Sequence, residues 1–374
     1  ANSVTNSKII IQSYKPNRPF ADVIENGLHI IDQENSELTY EKKNEFNLGV
    51  DMGFLNNRIN VVFDWFTRKN YDLIGVENTV GTGVGINQFA NVADMNSHGV
   101  ELTLSTRNIV QKDFSWNTDF TFAHVKTEVT NLKTRTAVFS LITGTGFTME
   151  GYPNRGLFSY RFDGLDKYGM PTLKDEKGDV IAPKDIDFQQ RENLEFLKYE
   201  GPTDPTITGG MGNIFRYKNF RLNVFLTYSF GNKVRLDPVF SSEYNDLTAM
   251  PKEFKNRWTL PGDEAYTSVP SILHRRQEES NSDLERLYNA YNYTDVRVAD
   301  GGFIRMKEVS LTYDFPKSLL GKTINNLSLK LQATNLFLIY SDSKLNGQDP
   351  EFFRSGGVSA PVPKQFTMTL RVGF

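Results

Sequence analysis

Reactive side chains are few in this chain, and they are scattered. The four histidines, His29, His98, His124 and His274, stand far apart and without the one-turn His–His or His–Glu pairing of a zinc site. There is no cysteine, which removes disulfides, thiolate nucleophiles and Cys-ligated metals. The glycines of GTGVG at 81–85 suggest a phosphate-cradling loop, but the lysine and the helix start that such a loop needs are missing, so a flexible outer loop is expected. In DEKGD at 175–179, Asp175, Glu176 and Asp179 offer oxygens to calcium without regular ligand spacing, so a glycine-containing hairpin turn is expected instead. No nucleophile elbow and no Ser/His or carboxylate constellation can be assembled. The expectation is therefore no catalytic, metal or cofactor-binding residue, no cofactor and no enzyme activity.

What remains is the chemistry of binding. Tyr288, Tyr291 and Tyr293 alternate with Asn289 and Asn292, and flat rings beside amides are what sugar or peptide capture uses. The competing expectation is that these rings pack a long loop against its neighbours or against a lid partner. RRQEES at 275–280 reads as a solvated charged stretch or a rim contact, and Trp258 as a structural anchor for its loop.

The elements that position these residues follow from composition and period. Of 374 residues only 39% are hydrophobic, yet 13% are aromatic, and the net charge is −3. A thick soluble core is not the obvious place for so many rings. The near-neutral charge gives no field for nucleic acid, so no nucleic-acid partner is expected. No apolar run of about 18 residues is present, which excludes membrane-spanning helices. The chain starts at Ala1 without Met or an evident signal, and is expected to be a mature or cut product.

The dominant pattern is alternation. Phe220, Leu222, Val224, Leu226, Tyr228 and Phe230 share one face of an extended segment, with Arg221, Asn223, Thr227 and Ser229 on the other. Phe46 to Phe54 and Ile59 to Trp65 repeat it around an Asn56-Asn57 turn. Further strands are expected at 97–106, 114–125, 206–216, 303–315, 327–337 and 364–374, with a weaker tenth at residues 8–14 and an outer loop at 15–37. Short turns alternate with long connections at about 69–96, 127–205, 231–301 and 339–363. Compact soluble domains rarely carry loops of that size. A transmembrane β-barrel does so by rule, with short periplasmic turns, long extracellular loops and strands of about 10 residues. The six residues from Phe220 to Phe230 are then expected to face lipid. Phe366, Met368, Leu370, Val372 and the terminal Phe374 resemble the assembly signal of bacterial outer-membrane barrels. Nine or ten strands with such loops suit a wider barrel, and an open edge in lipid needs self-closure or further segments. The alternative is a soluble β-sandwich or propeller, carbohydrate-binding or otherwise interactive, whose apolar faces pack on each other.

Several blocks, in order, resemble the SusC/RagA-type TonB-dependent outer-membrane transporters. They are NEFNLGVDMGFLNNRINVVFDWFTRKNYDLI (44–74), NVADMNSHGVELTLSTRN (91–108), EGYPNRGLFSYRFDGLD (150–166), GGMGNIFRYKNFRLNVFLTYSFGNKV (209–234), RWTLPGD (257–263), DGGFIRMKEVSLTYDFPKSLL (300–320), LQATNLFLIY (331–340) and the final LRVGF. The resemblance covers residues 44–374 and is to the C-terminal portion of the barrel, with the plug domain absent. It implies an all-β fold contributing about 9–10 strands of a 22-strand barrel in the outer membrane of a Gram-negative bacterium. It also implies energised import of large nutrients, glycans or oligopeptides. The implied partners are a SusD-like surface lipoprotein as lid, TonB acting through the missing N-terminal part, and the remaining barrel and plug segment.

Overall fold

A computed structural model of the chain describes residues 10–14, 27–32, 35, 37–78, 87–242, 250–321, 323–353 and 362–374. Nine strands form one antiparallel sheet: β1 (Lys42–Phe54), β2 (Ile59–Asn78), β3 (Asn87–Val110), β4 (Phe114–Leu132), β5 (Ile207–Tyr217), β6 (Phe220–Phe230), β7 (Phe303–Asp314), β8 (Asn326–Ser341) and β9 (Gln365–Gly373). They pair in chain order from β1 to β9, each with its predecessor and successor. This is the all-β antiparallel architecture expected from the alternation. Tight turns join the strands at one end. Leu55, Asn56 and Asn57 all sit in the left-handed region, and Lys218 does so in the two-residue link between β5 and β6.

The register sorts the two faces. On one, Phe120, Met211, Leu226 and Met306 lie in a single row across β4 to β7. A second row runs Trp116, Phe215, Leu222, Leu311, Leu331 and Met368. The opposite face carries Ser115, Arg216, Arg221, Thr312, Lys330 and Thr369 in one row. Rings gather at two levels of the apolar face. Near the long-loop end, Tyr228 lies 6.2 Å from Phe120 and 6.1 Å from Phe230, which is 6.0 Å from Tyr340. Near the tight turns, Phe220 lies 4.7 Å from Tyr313, and Trp116 stacks 5.6 Å from Phe215. Ten steps of about 3.3 Å separate Phe220 from Phe230, roughly 25 Å of height at a strand tilt of about 40°, the thickness of a lipid-facing band between aromatic girdles.

Nothing among the described residues covers that apolar face. Leu48 is 57% exposed, Leu331 48% and Met368 72%, and the buried clusters lie elsewhere in the chain. A sandwich would bury these side chains under a second sheet. Those of β6 are flanked by strands on both sides and are only partly exposed, Phe220 at 47%. The sheet ends in two edges, β1 and β9, which do not pair with each other among the described residues.

The strands outrun their expected limits. β2 continues to Asn78 and β3 starts at Asn87, so most of the connection at 69–96 is a strand pair rather than loop. It carries polar residues such as Asn70, Asp72, Asn91 and Asn96 beside a small buried cluster of Ala90, Val92 and Ala93 packed with Leu73, Leu132 and Phe147, so its alternation is broken. Likewise β4 runs on to Leu132 and β8 to Ser341. The tenth strand does not join the wall: Ile10–Tyr14 pairs with Gly27–Asp32 in a separate two-stranded sheet. Residues 15–26, most of the outer loop expected there, and GTGVG at 81–85 lie outside the described residues.

Candidate functional site

The long connections condense into one cap with its own core. Helix α1 (Val138–Thr143) and helix α3 (Asp283–Tyr291) come from different connections, and both contribute to one cluster. Val138, Leu141 and Ile142 pack there with Phe158, Tyr160, Leu173, Leu287 and Ala290. The chains are tied directly, since Tyr160 N–H donates to the Tyr293 carbonyl and Asp295 N–H to the Tyr160 carbonyl, both at 3.0 Å. Arg235 clamps the junction. Its guanidinium donates to the Thr294, Ile142 and Phe158 carbonyls at 2.7, 3.1 and 2.6 Å and to Ser159 Oγ at 3.1 Å.

The tyrosine cluster belongs to this interior rather than to an open surface. Tyr288 and Tyr291 are each 1% exposed, and Tyr293 is partly buried against the same core. Asn292 is buried, its side-chain oxygen accepting from Val239 and Phe240 N–H and its amide donating back to the Phe240 carbonyl. Burial pushes the Tyr291 hydroxyl up to about 12. Asn289 is half-buried on α3. Rings beside amides are equally what a loop needs to build a small core with its backbone satisfied, and direct stacking of a ligand on Tyr288 or Tyr291 has no access.

Trp258 anchors its loop as expected. A Cβ built on Gly169, whose φ is +76°, would fall 2.4 Å from the indole, so the ring lies flat on the bare backbone of a neighbouring turn. Trp258 Nε1 donates to Glu264 at 2.9 Å, and Asp263 accepts from the Leu260 and Thr259 N–H groups. The Trp258 bond holds the Glu264 carboxyl below its ordinary range, and the Leu260 and Thr259 amides do the same for Asp263. RRQEES forms the exposed helix α2 (Arg275–Ser280), capped by His274 Nδ1 accepting from Arg276 N–H. DEKGD is the expected turn, with Asp175 Oδ1 accepting from the N–H groups of Lys177 and Asp179 at 2.8 Å. His124 Nδ1 lies 3.1 Å from the Thr206 carbonyl and His98 is exposed. Among the described residues no group of three His, Asp or Glu is placed to hold a metal ion.

Sequence reasoning missed two features. The first is a buried ion cluster joining the last connection to the polar face: one Arg305 guanidinium nitrogen donates to both Asp349 oxygens at 2.5 and 2.6 Å, with Glu351 at 3.1 Å. A register shift at Met306/Glu308 turns Arg305 to that face, against simple alternation. The second is a shallow basic shelf on the polar face near the tight turns, where Arg221, Lys330 and Arg371 line a cavity of about 270 Å³. Polar groups on the apolar face pair among themselves, as Trp116 Nε1 and Thr118 Oγ1 both donate to Asn213 Oδ1. On the apolar face, Tyr228 leans over Gly209 and donates to the Thr121 carbonyl at 2.8 Å, where a Cβ on Gly209 would sit 2.4 Å from the hydroxyl.

A nine-stranded wall with an exposed aliphatic band between two levels of rings, a polar reverse face and a folded cap at the long-loop end defines a segment of a transmembrane β-barrel. The solved RagAB peptide transporter has the same fold over 99% of this chain and 38% of its own, with a TM-score of 0.74 at 24% identity. The RagAB peptide importer in its open-open state gives a TM-score of 0.70 at 21% identity. No family model matches the chain. In sequence it is similar to TonB-dependent receptor P3 of Formosa agariphila, at 26% identity over 342 residues, 87% of this chain and 32% of that protein. It is also similar to TonB-dependent receptor SusC of Bacteroides thetaiotaomicron, at 25% over 344 residues, 90% of this chain and 32% of that protein. The SusC-type resemblance carried by the motifs thus holds over about nine-tenths of the chain. The chain spans about a third of the length of the curated relatives it matches.

Proposed function

We propose that this chain is the C-terminal barrel portion of a SusC-like importer in the outer membrane of a Gram-negative bacterium. The importer takes up large nutrients, glycans or oligopeptides, using TonB energy delivered through a plug outside this chain. A SusD-like surface lipoprotein closes over the cap. The observation that carries the reading is the exposed apolar band of the sheet, which a soluble protein would cover and a barrel turns to acyl chains. Support comes from the named relatives, which are receptors and transporters. The edges β1 and β9 fit the same reading, because unpaired strand edges in hydrocarbon cost several kcal/mol per group and call for further strands of a larger wall. The final strand, with Phe366, Met368, Leu370, Val372 and Phe374, serves as the assembly signal.

The test uses the full-length receptor in cells with and without TonB, supplied with labelled oligopeptide and oligosaccharide mixtures. TonB-dependent accumulation of one class in the periplasm is expected. Equal accumulation in both strains, with the protein correctly folded in the outer membrane, overturns the import reading.

A further inference from the structure

Up the apolar face of β2, β3 and β4 toward the long loops, the register runs from the row of Phe63, Leu102 and Phe122 to that of Trp65, Val100 and His124. Phe46 lies 6.1 Å from Trp65 and continues this ring level onto β1. The next rows change character. Thr67, His98 and Lys126 stand side by side, and above them Lys69, Asn96 and Glu128. Lys69, His98 and Lys126 are exposed. None of the three has an ion pair or a side-chain hydrogen bond among the described residues, whereas Lys42 pairs with Asp72 at 2.7 Å and Arg68 with Glu45 at 3.0 Å.

The register brings the three within reach of one ligand. His98 and Lys126 are directly opposed, about 5 Å apart at Cβ, and Lys69 lies diagonal to His98 at about 7–8 Å. Thr67 and Asn96, a hydroxyl and an amide, complete the square with Lys69 and His98. Glu128 stands two strands away from Lys69, and Asp94, the next carboxylate up β3, already accepts from Asp72 N–H and Asn131. The height is informative. Two residues along a strand rise about 5 Å at a tilt of about 40°, so these rows lie about 5 and 10 Å above Trp65. That is the headgroup layer, which adds roughly 5–8 Å to each side of the hydrocarbon.

We propose that this patch binds the phosphate of an anionic lipid, in the outer leaflet a phosphorylated glycolipid. The Lys69 and Lys126 ammonium groups and a His98 N–H donate to the phosphate oxygens, while the acyl chains lie on the rings below. Continuity of the patch with the exposed apolar band selects a lipid over a free anion, since only an amphiphile meets both. The proposal rests on the lipid-facing reading of the sheet and adds to it a defined headgroup site.

The experiment is native mass spectrometry of the full-length protein in detergent, titrated with diphosphoryl lipid A, with the same glycolipid stripped of its phosphates, and with inorganic phosphate. The phosphorylated glycolipid is expected to bind at least about tenfold more tightly than the stripped one, at about fivefold per lysine beside an anionic headgroup. Lys69→Gln/Lys126→Gln is expected to abolish that preference and Lys69→Arg/Lys126→Arg to keep it. Lys112→Gln/Lys317→Gln, at the tight-turn end of the wall, is expected to change nothing. Heat-modifiable migration reports the folded barrel in every variant. Equal affinity for the two glycolipids, a preference that survives Lys69→Gln/Lys126→Gln, or displacement of the lipid by millimolar inorganic phosphate overturns the headgroup site while leaving the barrel reading in place. A wild-type protein with no heat-modifiable form overturns both.

Discussion

Removing Arg305 exposes how the last connection is held to the wall. The side chain is 5% exposed and that of Asp349 is 9%, so both charges sit out of water. Taking away one partner of a buried pair leaves an uncompensated charge and costs about 3–5 kcal/mol. Glu351, 44% exposed, accounts for at most about 1 kcal/mol of this. Arg305→Met is therefore expected to destabilise the region around residues 342–353 by about 3–5 kcal/mol. Adding Asp349→Leu removes the stranded carboxylate and is expected to restore most of that loss. A deficit of about 1 kcal/mol remains, because Asp349 also accepts from Glu351 N–H as a helix N-cap. The assay is a double-mutant cycle on the detergent-solubilised protein. Opening free energies come from hydrogen exchange at the amides of Leu345 and Phe352, which are bonded to the Asp342 and Asp349 carbonyls. Two single variants that each cost under about 1 kcal/mol and simply add would refute the assignment of a buried, mutually dependent pair.

Three other outcomes follow from the wall and the cap. Val224 lies near mid-band on β6, so Val224→Arg is expected to cost about 2–4 kcal/mol, read by urea unfolding in lipid vesicles, whereas an unchanged midpoint argues against lipid contact there. Gly169→Val drives a side chain into the Trp258 indole at a φ of +76° and is expected to free the loop around Trp258 to protease, leaving heat-modifiable migration of the barrel intact. Because the Asp263 and Glu264 carboxyls are held below their ordinary range when folded, their stabilisation is complete above the unfolded values near 4 and is lost as pH falls through the depressed folded values. Trp258 emission is expected to hold steady down to about pH 5 and shift only on further acidification; a shift centred near neutral pH speaks against these two carboxylates.

The wall was readable because its physics is local. A strand between lipid and water must alternate, and Phe220 to Phe230 do so with the single exception of Phe225, which the register places on the polar face beside Glu308. Where that constraint lapses, reading fails. The upper halves of β2 and β3 bury only a small cluster around Val92 and carry side-chain hydrogen bonds such as Asn91 to the Asp72 carbonyl, so Asn70, Asp72 and Asn91 look like loop. Arg305 has the parity of Val309 and Leu311, and only the bulge before Glu308 sends it to the other face, a change no count along the sequence registers. The tyrosines left two expectations open for a different reason. A ring beside an amide is the same pair of residues whether it waits for a ligand or closes a core, and the choice was made by α1, Phe158 and Leu173, more than a hundred residues away in the chain.

The central claim is that one face of this sheet touches acyl chains and the other water. With no native cysteine, single cysteines at each position from Phe220 to Phe230 can carry a nitroxide without background. The measurement is relaxation of each label, in lipid vesicles, by oxygen and by a water-soluble nickel chelate. Oxygen access is expected to peak at positions 220, 222, 224 and 226 and nickel access at 221, 223, 225 and 227, the two running out of phase with a period of two. Labels on both sets that respond together, or a set at 220–226 reached by nickel and not by oxygen, would contradict it.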